Sequence, residues 1–126
     1  MPSSESPLVF RDLLQRARTL PDEPGWETLR EGVRIRRLYQ VGETGPAAAL
    51  LHYEPGAAIP AHEHMGFEHI LVLDGSQADE HGSYSAGTLI INRPHSAHRV
   101  ASAEGCIVLI IWQAGVRLLS APPTRS

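Results

Sequence analysis

Lysine is absent from the 126 residues: all eleven positive charges are arginine. That absence excludes Schiff-base and pyridoxal phosphate chemistry and a lysine-bearing phosphate loop, each of which needs an amine. Cysteine is represented by Cys106 alone, which rules out an internal disulfide and any multi-cysteine zinc module. Its thiol sits inside an apolar run and is expected to be buried. Long apolar runs are also missing. The longest, Cys106 to Trp112, falls far short of the roughly 20 residues of a membrane-spanning helix, so no membrane partner is expected. Residues 1–10 lack the basic start and apolar core of a secretion signal, which predicts a cytoplasmic protein. Positive charge is not in excess either, the formal net charge being -3, and only Arg34, Arg36 and Arg37 cluster. A nucleic-acid partner is therefore not expected.

The length suits a single domain. Within it, residues 1–25 read as an N-terminal helix and linker. Ser6 and Pro7 mark the helix start, with Leu13, Leu14 and Ala17 along one face. Residues 26–116 read as a β-barrel and residues 117–126 as a loose tail. The barrel is expected from short β-type runs at Val33 to Gln40, Ala47 to Tyr53, Phe67 to Leu73, Gly87 to Asn92, Arg99 to Ser102 and Cys106 to Gln113. Turn residues such as Asp74, Gly75 and His81 to Ser85 separate them. This spacing predicts an all-β sandwich or barrel. Leu71, Leu73 and alternate residues of Cys106 to Trp112 place apolar side chains on the outer face as well. Such a face needs cover from the N-terminal helix and a second copy of the chain, so a homodimer is expected.

Histidine is the overrepresented residue, seven in all and concentrated between His62 and His98. In an extended strand, residues two apart project from one face, so His62 and His64 can reach the same ion. After a turn at Gly66, Glu68 returns on the next run on the face of Ile70 and Val72. His98, after a Pro-His-Ser-Ala turn, is a fourth donor. Three imidazoles and one carboxylate make a site for one divalent transition metal ion: Zn, Fe, Mn, Ni or Cu, with Zn or Fe favoured.

These residues carry a resemblance. Gly56, His62-Glu63-His64, Glu68 and Gly75 stand at the spacings of the first motif of the cupin superfamily, and Gly87 through His98 resembles the second. Pro94 falls one residue later than in the family, and Ser96 stands where glycine is usual. The resemblance implies an RmlC-like cupin, an antiparallel β-barrel or jelly roll, with His62, His64, Glu68 and His98 as metal ligands. Within the superfamily the chain is most similar to the cupin domain of ChrR-type zinc-binding anti-sigma factors. That likeness runs through Trp26, Leu51-His52-Tyr53-Glu54-Pro55-Gly56, Leu71-Val72-Leu73-Asp74-Gly75 and Asp79-Glu80-His81-Gly82. Those proteins carry a further N-terminal zinc-binding, sigma-contacting domain. The present sequence contains no CxxC for one, so that regulatory activity is not expected to carry over. His69 stands where the relatives commonly have a second acidic residue.

The other histidines have less specific readings. His95 is a fifth ligand, a substrate-facing acid or base, or a solvated turn residue, the last being favoured. His69 has the opposite strand parity to Glu68 and belongs outside, while His52 and His81 read as structural or exposed. Tyr84, Asn92, Arg99 and Trp112 are candidates for the pocket mouth, each with packing or surface as the simpler role. Three function classes remain. The first is a small-molecule metalloenzyme of dioxygenase-like type, and the second a non-catalytic metal-dependent sensor related to anti-sigma cupin domains. The third is a structural dimer with a vestigial site. The expected partner of the first two is a small-molecule ligand or substrate.

Overall fold

The computed structural model describes residues 5–118. Among the described residues, ten strands form one antiparallel sheet curled into a half-barrel. They are β1 (Glu27–Arg30), β2 (Val33–Gln40), β3 (Ala47–Tyr53), β4 (Ala57–His64), β5 (Glu68–Asp79), β6 (Gly82–Ser85), β7 (Leu89–Asn92), β8 (Ala97–Ser102), β9 (Cys106–Trp112) and β10 (Val116–Leu118). The spatial order is β1-β2-β3-β9-β5-β8-β4-β10, with β6 and β7 also pairing to β5. The all-β barrel expected from the sequence is what forms. Among the described residues, no helix is long and apolar enough to cross a membrane.

The long strand β5 makes the curl. Its first half pairs with β9 and β7, and its second half with β6 and β8. The sequence pattern predicts that this strand ends at Leu73, with Asp74-Gly75 as a turn. Instead the register shifts between Val72 and Asp74 and the strand continues to Asp79. A bulge of this kind bends a strand and lets it pass from one sheet face of a barrel to the other. Gly75 is required there for two reasons: its φ is +76, and a Cβ would lie 2.1 Å from the Gly105 carbonyl oxygen. The glycine therefore marks a close backbone approach. His81 to Ser85 was likewise read as a boundary, yet Gly82–Ser85 is β6. Strand β1 was not foreseen, and its four residues are all exposed, so it carries no alternation to read.

Parity divides the apolar residues into two cores. Val33, Ile35, Leu51, Ile70, Val72, Val100, Val108 and Ile110 fill the barrel interior. Leu50, Leu73 and Ile107 point outward and are buried against Ala17 and Leu20. The cover is thus the N-terminal segment, although its shape differs from expectation. The α-helix α1 is only Leu13–Arg16 and passes directly into a 3-10 turn, Ala17–Asp22. It does not begin at Pro7, because Leu8, Val9 and Phe10 remain exposed and a short helix needs an apolar face to pack against. Asp12, at φ 54, breaks the helical path just before Leu13. At the other end, β10 pairs with β4 and carries the barrel to Leu118, past the expected boundary at residue 116. Residues 119–126, most of the expected loose tail, lie outside the described residues.

Candidate metal centre

Strand pairing assembles the cluster. His62 on β4 lies directly opposite His98 on β8, and the two Nε2 atoms stand 3.1 Å apart. His64, two residues along β4, shares their face. The register of β4 slips between Ile59 and His62, around Pro60 and Ala61. Bulges commonly re-aim side chains, and proline in a sheet is tolerated at such points. Glu68 opens β5, and its Oε1 lies 3.0 Å from His64 Nε2. One donor atom from each of His62, His64, Glu68 and His98 falls within 4.8 Å of all the others, and all four residues are buried. The imidazole planes stand at 88°, 75° and 76° to one another, so one nitrogen of each can face a common point without ring overlap.

The outward-facing atoms decide which nitrogens carry lone pairs. His62 Nδ1 lies 3.0 Å from the Pro60 carbonyl, which can only accept, so Nδ1 donates. His64 Nδ1 lies 2.9 Å from Ser96 Oγ. That hydroxyl spends its proton on the Arg93 carbonyl at 2.6 Å, so it accepts from the imidazole. His98 Nδ1 faces the Asp79 carboxylate at 3.6 Å. With protons on the three Nδ1 atoms, the neutral rings turn bare Nε2 lone pairs toward each other and toward Glu68. His64 Nε2 has no partner of hydrogen-bonding geometry, although the carboxylate oxygen is 3.0 Å away. Buried lone pairs at such distances repel unless a cation or proton lies between them. The donor set therefore fits a divalent metal ion.

Glu68 is held by its cross-strand neighbours. Asn92 on β7 and Trp112 on β9 are its register partners. Asn92 Nδ2 donates to Oε1 at 2.9 Å, and Trp112 Nε1 donates to Oε2 at 2.7 Å. Burial pushes the carboxyl up, but in the absence of a metal a proton between His64 Nε2 and Oε1, the Asn92 hydrogen bond and the proximity of His62 outweigh it and hold Glu68 below the usual carboxylate range. Burial, with His62 and His64 adding to it, pushes His98 down and favours its neutral, lone-pair form. From sequence alone, Asn92 and Trp112 are only candidates for the pocket mouth. The missed signal is a polar-tipped residue closing each of two otherwise apolar runs.

The remaining histidines stay outside. His95 adopts φ 70 in the turn before β8. Its backbone N–H donates to the His64 carbonyl, and its exposed ring faces Glu63 at 3.7 Å. It is the turn residue of the favoured reading. His69 is paired with Ile91 and Ile111 on the face opposite to Glu68. His52 Nδ1 meets Arg34 at 2.8 Å, and His81 is exposed. Tyr84 donates to Asp79, the carboxylate behind His98. The Arg99 backbone N–H is bound by Glu80, and Arg99 does not line the cavity beside the cluster.

That cavity has a volume of about 350 Å³. Its floor includes His62, Glu68 and His98, its walls Leu51, Ile59, Ile70, Val100 and Ile110. Tyr53 and Trp112 also line it, as do Leu29 and Arg30 of β1 and Val116 of β10, the two ends of the strand order. A wider cleft of about 590 Å³ lies on the outer face, beside Arg18, His52, Asp74 and Cys106. It brings together no comparable donor set among the described residues. Cys106 is buried there, and desolvation pushes its thiol up to about 11, which leaves it protonated and unreactive.

Residues 14–114 match the ChrR Cupin-like domain, and the chain belongs to that family. It is 37% identical over 100 residues to the anti-sigma-E factor ChrR of Cereibacter sphaeroides, an alignment covering 78% of this chain and 46% of ChrR. The chain thus spans about half the length of that relative. In the structure of Rhodobacter sphaeroides SigE in complex with ChrR, the similarity is 26% in sequence, with a TM-score of 0.64 over 87% of this chain and 70% of that one. The acetylacetone dioxygenase of Acinetobacter johnsonii superposes with a TM-score of 0.74 over 95% of this chain and 81% of its own. At 12% identity, that likeness is one of fold alone.

Proposed function

We propose that this ChrR-like cupin domain holds one divalent transition metal ion through His62, His64, His98 and Glu68, and that it acts on a small molecule seated in the adjoining cavity. One observation carries the reading. Each of the three Nδ1 atoms faces an acceptor, so three Nε2 lone pairs and a carboxylate oxygen share a single buried point. A vestigial site would have no reason to retain that alignment, since buried unpaired polar atoms are costly. When bound, zinc supplies Lewis acidity toward a substrate oxygen, and a redox-active ion such as ferrous iron adds chemistry with dioxygen.

The chain's own contribution is preorganisation. Asn92 and Trp112 fix the Glu68 carboxylate by donating to its two oxygens. Ser96 and the Pro60 carbonyl hold two of the rings in their tautomers, and the Asp79 carboxylate, 3.6 Å from His98 Nδ1, attracts a proton to that side of the third. The apolar walls exclude water from the group that reacts, and this geometry supports a dioxygenase-like metalloenzyme. The identity to ChrR favours a second reading, a metal-dependent sensory domain whose cavity detects the same ligand without turnover. The chain also exposes Leu89, Ile91 and Ile111 on the outer face of the sheet, which supports a homodimer formed through that face, checked by light scattering at micromolar concentration.

The deciding experiment is metal analysis of protein purified without added metal, followed by oxygen uptake with small diketones and flavonols. About one metal per chain, lost in a His62→Ala, His98→Ala double variant that still folds, is the expected result. Oxygen uptake by the iron form then selects the enzyme reading. Protein that folds but takes up neither zinc nor iron from excess refutes the metal site.

A further inference from the structure

Among the described residues, the cavity that carries the proposed function has one cationic side chain in its lining, Arg30; the rest of the wall is apolar, belongs to the His/Glu cluster and its supports, or is the phenol of Tyr53. Arginines on the neighbouring edges are already engaged. Arg34 bonds the Pro21 carbonyl and His52, Arg36 pairs with Glu23, Arg37 with Glu27, and Arg117 of β10 with Glu63. Arg30 has no hydrogen-bond or ion-pair partner among the described residues. It ends β1, one margin of the half-barrel, and in register it lies opposite Val33 of the interior core. Its place at the cavity is therefore set by strand pairing rather than by a partner on the surface.

An unpaired guanidinium at the rim of an apolar chamber is a recognition element for a planar anion, because its forked donors match a carboxylate. Glu68 also lines the cavity, and its negative charge repels an incoming carboxylate, so an acid is not directed there. We infer that the ligand of this cavity is a small monocarboxylate with an apolar body, its carboxylate on Arg30 and its chain or ring among Leu51, Ile59, Ile70, Val100 and Ile110. The volume, equal to that of about a dozen water molecules, admits a small organic acid. The inference rests on the reading that this cavity is the ligand site and specifies the class of molecule it takes.

Hexanoate and its neutral analogue hexanamide test it, titrated by calorimetry and by ligand-observed NMR into the full chain, zinc-loaded and metal-stripped. The expected result is a preference of about tenfold for the acid in the native chain, the scale of one charge-assisted hydrogen-bonded contact at a partly hydrated rim. In Arg30→Gln the ratio should fall to about one, with melting temperature and zinc content unchanged. Arg117→Gln, which removes a neighbouring charge outside the cavity, should leave the preference intact. The inference is overturned if neither form binds hexanoate, if Arg30→Gln keeps the preference, or if Arg117→Gln abolishes it equally. A preference lost on metal stripping but kept in Arg30→Gln places the carboxylate at the His/Glu cluster and overturns it too. Failure of the metal reading is separate, showing as no zinc uptake while the acid-to-amide ratio still depends on Arg30.

Discussion

Glu68→Gln distinguishes a cluster built around a cation from one that merely packs. The substitution keeps the shape of the side chain and removes its charge. In the metal-free protein the amide is well accommodated. Its oxygen can accept from Trp112 Nε1, which now reaches Oε2 at 2.7 Å. Its NH2 group can donate to the partnerless His64 Nε2, now 3.0 Å from Oε1, while the Asn92 amide turns to offer its oxygen. No buried group is orphaned and a buried charge is gone, so metal-free stability should stay within about 1 kcal/mol of the parent or rise above it. The zinc-loaded protein behaves oppositely. A metal at a thousandfold excess over its Kd stabilises the native state by about 4.1 kcal/mol. Loss of the only anionic ligand should weaken binding by at least about 100-fold, the upper range for second-shell changes. The same zinc then contributes only about 1.4 kcal/mol. The difference of about 2.7 kcal/mol is about 10 °C in melting temperature for a domain of this size. Differential scanning calorimetry with and without zinc, alongside metal analysis, reads both numbers. An equal zinc-induced increment in parent and variant, or none in the parent, would show that Glu68 is not a ligand and that the reasoning from lone pairs is wrong.

Ser96→Ala removes the acceptor that fixes His64 Nδ1–H, so zinc affinity should fall about 10- to 100-fold in a competition titration, and metal-free stability should drop by about 1–3 kcal/mol for the buried N–H left without a partner. Leu20→Ala deletes a fully buried side chain beneath the outer core; it should cost about 2–5 kcal/mol in denaturant melts and leave zinc stoichiometry untouched. His52, half-buried and beside the Arg34 guanidinium, is pushed below its ordinary value by desolvation first and by that charge second. The unfolded chain therefore binds the extra proton at the higher pH, and the His52 contribution is fully present above about pH 6.5 and lost as the pH falls through the lowered folded value. His52→Gln should flatten the acid side of the melting-temperature profile in that window; an unchanged slope would count against the assignment.

Legibility followed the physics of each element. Interior strands such as Ala47–Tyr53 and Cys106–Trp112 are buried on both faces or nearly so and announce themselves as apolar runs. Strand β1 has four exposed residues, and β6 has three exposed residues and one half-buried, so neither offers a pattern. Both exist because a neighbour offers its backbone hydrogen bonds, which no local sequence signal records. The break assigned at Asp74-Gly75 failed for a related reason. Glycine before an apolar gap ordinarily means a turn, but here it allows Gly105 to approach the backbone of a continuing strand. Pro7 and the residues after it misled because capping signals describe how a helix begins, whereas packing decides whether it forms at all, and Leu8, Val9 and Phe10 have nothing to pack on.

The cluster of His62, His64, Glu68 and His98 was readable because strand parity is a short-range rule: two histidines two apart share a face whatever the rest of the fold does. Its supports were not, since they depend on register. Asn92 and Trp112 meet Glu68 only because β7 and β9 both align with the first residue of β5, and Ser96 meets His64 across a turn clamped by backbone hydrogen bonds in both directions. A shift of one residue in either pairing would turn Asn92 or Trp112 to the other face and leave one oxygen of the buried carboxylate without its donor. The same registry places Arg30 at the cavity. The residues that can bind an ion are thus written locally, while those that set their tautomer, their charge and the molecule admitted beside them are fixed by how distant strands align.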